Sequence, residues 1–181
     1  ESFSSDNYRT YFTDKQRGAV LRLSRDGVTP ISDAGMQTWF KDNLKNSTSV
    51  LGSFDTNKKE YNVTVKGGSS DYTLSYSESV KGWSSFKTFI PEEALSVENE
   101  YFSIANADTT TNNKIWKHHT NSSYNNFYAK TPTAANGAFS SVTVILNDEP
   151  SAIKNFMTLN YEGTQAKIDV NTADTDNYYN L

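Results

Sequence analysis

The sequence predicts an all-β chain with one short α-helix, built of propeller-like antiparallel blades, with a β-sandwich as the alternative architecture. Three observations carry this prediction. Short aromatic and β-branched runs alternate with turns rich in Gly, Asn, Asp and Ser through most of the chain. A single segment, Met36 to Leu44, places apolar residues at helical spacing. The form aromatic strand, polar turn, apolar strand recurs at Tyr11-Phe12…Ala19-Val20-Leu21, Ser53-Phe54…Tyr61-Asn62-Val63 and Tyr101-Phe102…Lys114-Ile115-Trp116. Phe12, Phe54 and Phe102 thus stand between forty and fifty residues apart, the spacing of four-stranded blades. A sheet of this kind has a face it cannot hide alone, so neighbours must stack on it. Regularly spaced hairpins in a sandwich produce the same pattern.

The elements follow in order. Tyr8 to Thr13 reads as a strand, Asp14 to Gly18 as a turn with Gly18 at positive φ, and Ala19 to Leu23 as the returning strand. Arg25-Asp26-Gly27 makes a second turn, and Val28-Thr29-Pro30-Ile31 leads to Ser32 or Asp33, either a competent N-cap. The helix is expected from about Asp33 to Leu44, with apolar groups at 36, 39, 40 and 44. Strands return at Val50 to Phe54, Glu60 to Val65 and Tyr72 to Ser77, separated by the turns Asp55 to Lys58 and Lys66 to Ser70.

Val80 to Pro91 is expected to be an inner strand on which the domain is organised. Strict alternation puts Trp83, Ser85, Lys87 and Phe89 on one face and Ser84, Phe86, Thr88 and Ile90 on the other, so both faces carry large apolar groups. Pro91 ends it, and Tyr101-Phe102 and Ile115-Trp116 supply two strands to pair beside it. The expected aromatic core is Trp83, Phe86, Phe89, Tyr101, Phe102 and Trp116. Asn121 to Gly137 reads as a long loop, Ser141 to Leu146 as a strand, and Phe156 to Tyr161 with Lys167 to Val170 as a last hairpin. The chain therefore divides into residues 1–48, a hairpin and helix closing a preceding β unit; 49–170, the antiparallel β domain; and 171–181, a polar tail continuing in a longer chain.

Charge and composition narrow the function. A net charge of -4 and a pI near 5.2 supply no basic field for nucleic acid. No run approaches the roughly 18 apolar residues that span a bilayer. The absence of cysteine excludes disulfides and thiolate metal sites. A mean hydropathy of -0.68 beside 13% aromatic residues fits thin sheets with aromatic cores and a large polar surface.

Chemistry-bearing patterns are sparse. His118 and His119 are the two histidines, and neighbours on a strand face opposite sides, which is wrong for ligating one ion. Glu92-Glu93 reads as a solvated turn rather than a pair held across a cleft. Asp169, Asn171, Asp174 and Asp176 have the composition of a calcium loop without its glycine and closing glutamate. Gly67-Gly68-Ser69-Ser70 lacks the Lys-Ser/Thr pair of a phosphate loop. Asn46, Asn62 and Asn121 begin glycosylation triplets that a chain rich in Asn, Ser and Thr also produces by chance. These patterns lead to an expectation of no enzyme activity, no metal and no cofactor. Tyr124, Asn125, Asn126 and Tyr128 offer exposed aromatic and amide groups, for a sugar or, preferred here, for a neighbouring subunit.

The chain also resembles a family. Tyr11 to Gly27, then Ile31-Ser32-Asp33-Ala34-Gly35-Met36 and Trp39-Phe40, is similar to a segment of large virion structural proteins of tailed bacteriophages. So are Gly82 to Lys87 with Phe89-Ile90-Pro91, Trp116 to His119, Asn126-Phe127-Tyr128, Asn147-Asp148 and Thr158 to Ala166. The resemblance runs from about Tyr8 to Tyr179, with longer connections at 105–113 and 130–137. It implies a β-rich part of a tail, baseplate or neck-associated protein located in the virion. Its implied partners are other virion structural proteins, in a homo-oligomer or ring, and it supplies no catalytic residues. The alternative is a carbohydrate-binding host-recognition module of a tail fibre that takes a surface glycan. A polysaccharide-degrading enzyme is a third option, and would require convergent carboxylates.

Overall fold

The computed structural model describes residues 2–105, 114–120 and 128, with isolated positions at 153, 155, 169–170 and 179–180. The chain forms two compact units, Glu1–Ser141 and Val142–Leu181. It is mostly β with one short α-helix, and no closed barrel or ring of blades is present among the described residues.

Strands β1 (Ser4–Ser5), β2 (Thr10–Asp14), β3 (Ala19–Ser24) and β4 (Gly27–Pro30) form an antiparallel meander. Its central hairpin closes where turn chemistry predicts. The Asp14 carboxylate accepts from the Arg17 N–H at 3.0 Å, and Gly18 takes φ +65. A side chain at Gly18 would also strike the Lys41 backbone, 2.6 Å from the ideal Cβ position.

The helix differs from expectation. Ile31–Asp33 form a 3-10 turn, Gly35 takes φ +78, and α1 runs Gln37–Asn46 behind Met36 as N-cap. Neither Ser32 nor Asp33 caps it. The left-handed Gly35 interrupts the helical path, and Asp33 instead accepts from the Gln37 side-chain amide at 3.0 Å. Phe40 and Leu44 are buried by α1 as their spacing requires.

The second meander is β5 (Ser49–Asp55), β6 (Glu60–Lys66), β7 (Tyr72–Ser77) and β8 (Gly82–Lys87). Phe54, Tyr61, Tyr76 and Trp83 stand in cross-strand register on one face. Tyr11 of the first meander lies on that face, stacked 4.8 Å from Tyr61 and 5.8 Å from Phe54. Phe40 meets Trp83 at 4.6 Å and Trp39 meets Tyr72 at 5.3 Å, so α1 covers the same face. One core therefore joins residues on either side of position 48. The opposite face carries Ser53, Asp55, Asn62, Thr64, Thr73 and Ser75, all buried.

Two expectations for Val80 to Pro91 are overturned. Among the described residues the strand is an edge, paired with β7 alone, and it ends at Lys87. It also does not alternate strictly. Tyr76 pairs with Trp83 and Ser75 with Ser85, leaving Ser84 as an extra residue in a bulge. The bulge resets the alternation, so Trp83 and Phe86 share a face.

Tyr101-Phe102 and Ile115-Trp116 do lie on paired strands, but not beside β8. Strands β9 (Glu93–Val97), β10 (Glu100–Ala105) and β11 (Lys114–Lys117) form their own sheet, with β10 central. The Glu92-Glu93 turn of the sequence reading is thus the entry to a strand, and Glu93 stands opposite Ile104. In the second unit β12 (Asp169–Val170), within the strand expected at Lys167 to Val170, pairs with β13 (Tyr179–Asn180), which falls in the expected polar tail. The expected strands at 141–146 and 156–161 lie outside the described residues.

Candidate functional site

The expected aromatic core splits into two places. Trp83 is half-buried in the first cluster, its indole N–H donating to the Ile31 carbonyl at 3.0 Å. Phe89 and Tyr101 are buried in a second cluster, against which Trp116 packs. Phe102 is half-buried. Phe86 is not a core residue: it is 53% exposed at the sheet edge, with one side of its ring against Trp39 at 5.5 Å. An edge strand has no neighbour to cover its outer flank.

The densest polar constellation lies where the third sheet meets the polar face of the second. Ser53 and Tyr101 share a hydrogen bond of 2.7 Å between their hydroxyls. Ser75 donates to the Asn62 amide oxygen at 2.5 Å, and Thr64 pairs with Thr73 at 2.9 Å. Asp55 accepts from the backbone N–H groups of Asn57 and Lys58 through Oδ1 and meets His119 Nε2 at 2.7 Å through Oδ2. Ser103 lies 2.7 Å from His118 Nε2 and 3.0 Å from the Tyr128 hydroxyl.

A serine beside a histidine invites comparison with a nucleophile and its base. Burial argues otherwise: Ser103 is 1% exposed, so its oxygen is sealed from any substrate. The His118 pKa is lowered to about 4, first by burial and then by the neighbouring His119, against an opposing pull from Asp55. Tyr101 and Tyr128 are each raised to about 12, mainly by burial. This is a satisfied polar joint that locks one sheet to another.

The two histidines sit in the bend after β11, with His119 at φ +61, and turn to different partners. Among the described residues no three metal-ligating side chains converge. Glu92 pairs with Lys66 at 2.7 Å. Asn62 is buried, which closes its glycosylation triplet to a glycan. Tyr128 is also buried rather than offered to a sugar or a subunit, because its hydroxyl is drawn inward to Ser103. Tyr124, Asn125 and Asn126, with the calcium-like positions Asn171, Asp174 and Asp176, lie outside the described residues.

Glu78 went unremarked in the sequence, a lone acid in a Ser-rich turn. Its carboxylate accepts from Arg22 at 2.9 Å and from the Tyr11 hydroxyl at 3.0 Å, with Arg9 at 3.7 Å. It ties the first meander to the second. Burial and this acceptor carboxylate both raise the Tyr11 pKa.

Two sheet faces carry exposed apolar side chains. On the first meander Phe12, Leu23 and Val28 share the face turned away from the core, and Phe3 stacks on Phe12 at 5.1 Å while 66% exposed. On the third sheet Phe102 stands opposite Leu95, with Val97 and Ile115 on the same face, and Ile115 is 73% exposed. Contiguous exposed apolar side chains on a sheet face mark an interaction surface.

Comparison with known families completes these observations. A family model described as Crassvirus muzzle protein matches residues 3–107, more than half of the 181-residue chain. The match takes in both meanders, β9 and β10. No curated protein matches.

Proposed function

Since the chain belongs to the Crassvirus muzzle protein family and is a phage virion structural protein, we propose that it serves as a β-rich scaffold in tail, baseplate or neck assembly, without catalysis. The observation that carries this reading is the pair of outward apolar sheet faces, which suit docking to neighbouring virion proteins. The polar groups that would otherwise attract a chemical reading are spent on joining sheets. The two four-stranded meanders act as blade-like units, stacked through Tyr11 and Tyr61.

The test is mass spectrometry of purified particles, with stoichiometry, followed by antibody labelling in electron microscopy. Peptides of this chain at a fixed small copy number, with label at one end of the particle, support the assembly role. Absence from particles overturns it, and label on the capsid shell overturns the tail, baseplate or neck assignment.

A further inference from the structure

We infer that the third sheet, with the aromatic cluster on its inner side, is a hinged unit that swings off the polar face of the second meander while both meanders stay folded. The inference concerns the chain alone and does not rest on the scaffold reading. Its ground is that the two buried clusters are separate along the sequence. The first draws on residues from Tyr11 to Trp83, and the second on residues from Phe89 to Tyr128. Between them lie the end of β8, where Lys87 pairs with Glu60 at 3.6 Å, and an exposed bend at Thr88. Thr88 is the hinge.

The unit holds itself together. The Glu92 N–H donates to the Ile104 carbonyl at 2.8 Å and the His118 N–H to the Tyr101 carbonyl at 2.9 Å. Ser103 bonds to His118 and Tyr128, the rings of Phe89 and Tyr101 pack on His118, and Trp116 packs on Tyr128. Its bonds to the second meander are polar. The Ser96 hydroxyl donates to the Phe54 carbonyl at 2.7 Å and accepts from the Thr56 N–H at 3.2 Å. Ser53 meets Tyr101, Asp55 meets His119 and Lys66 meets Glu92, each at 2.7 Å.

Water replaces bonds of this kind at small net cost, whereas parting the first two meanders would wet Tyr11, Phe54 and Tyr61. The face that opening uncovers carries Ser53, Asn62, Thr64, Thr73 and Ser75, with Leu51 beside Thr64. Apart from Leu51, these side chains hydrate readily. A segment with its own core and a hydratable underside opens at lower free energy than the fold as a whole.

Thiol labelling tests this, because the native chain has no cysteine. Ser53→Cys places one thiol under the third sheet, and Val63→Cys places one in the first cluster; both positions are buried, and circular dichroism checks that each variant folds. In low urea Ser53→Cys should react about tenfold faster or more than Val63→Cys, with a weaker dependence on urea, since opening exposes only part of the surface that unfolding exposes. Adding Ser96→Ala, which removes both bonds at Ser96, should speed labelling at position 53 several-fold and leave position 63 unchanged. Amides of β10 should stay protected over the time in which position 53 reacts, because the sheet moves intact. Equal labelling rates and urea dependence at the two positions, a Ser96→Ala change that speeds both or neither, or β10 amides that exchange as fast as position 53 reacts, each overturns the inference. Detection of the chain in particles is unaffected by any of these results.

Discussion

Trp83 and Phe86 lie three residues apart on one strand, yet both face helix α1: Trp83 meets Phe40 at 4.6 Å and Phe86 meets Trp39 at 5.5 Å. Unbroken alternation would put them on opposite sides. The bulge at Ser84 is what brings them together, and it is held by the Ser84 hydroxyl, which donates to the Ser75 carbonyl at 3.2 Å and to Glu60 at 3.1 Å.

Deleting Ser84 should therefore be tolerated. Removal of the extra residue leaves Trp83 and Phe86 two apart, still on one face, at the loss of the hydroxyl bonds and a cost of about 1–2 kcal/mol. Urea unfolding checks this. Without the bulge, the same deletion would turn Phe86 and everything after it to the wrong side, and a loss of cooperative unfolding would count against the bulge.

The Glu78 carboxylate joins two sheets, and its removal should cost more than that of a surface acid. Glu78→Ala is expected to destabilise by about 2–3 kcal/mol, because Arg22 and the Tyr11 hydroxyl lose their acceptor together. Tyr11→Phe should cost about 1 kcal/mol. In a double-mutant cycle the two changes should be non-additive by roughly 1 kcal/mol, since they remove the same bond. Strict additivity in thermal melts would show that the bond is not formed.

These two cases show what the sequence could and could not disclose. The body of helix α1, the β2–β3 hairpin, strands β5 to β7 and the Gly18 turn were legible because each rests on local chemistry: helical spacing, alternation over a few residues, or a residue suited to positive φ. The edge position of β8 was not legible, because strand order is set by contacts distant in sequence. Its two-sided apolar pattern looked like that of an inner strand, when a single extra residue had shifted the phase. Strand β9 was missed because Glu92-Glu93 masks the alternation of Ala94, Leu95, Ser96 and Val97. Buried Ser53, Asn62, Thr64, Thr73 and Ser75 could not be foreseen, since small polar residues on a strand ordinarily face water. Tyr128 likewise looked exposed until its partner Ser103, twenty-five residues away, was in view.

Gly52 marks a close approach. A Cβ there would fall 1.9 Å from the Ser2 carbonyl oxygen, which also accepts from the Tyr61 hydroxyl at 2.9 Å. Gly52→Ala must push residue 2 away and break that bond, leaving the buried Tyr61 hydroxyl without its acceptor. The expected cost is about 2–3 kcal/mol, with faster amide exchange at Thr13, whose N–H donates to the Ser2 hydroxyl. An unchanged melting temperature would mean that residue 2 is not packed there.

Acid should loosen the packing of the third sheet through His118, whose ring bonds to Ser103 and packs on Tyr101 and Phe89. Its folded pKa, near 4, lies below the ordinary value of about 6.5, because burial and His119 disfavour the charged ring. Between those values the unfolded chain binds a proton that the folded chain does not, so stability falls as pH drops from about 6.5 to 4 and gains nothing further from this group above 6.5. The part due to His118 should be on the order of 1–3 kcal/mol, less than the full shift implies because the ring is not wholly buried. Melting curves of wild type and His118→Gln across pH 4 to 7.5 isolate it, since the glutamine has no proton to take up while keeping an amide within reach of Ser103. The variant should lose less stability on acidification than the wild type. Parallel pH profiles would show that His118 titrates normally in the folded chain, and the sealed joint would then have to be open to water.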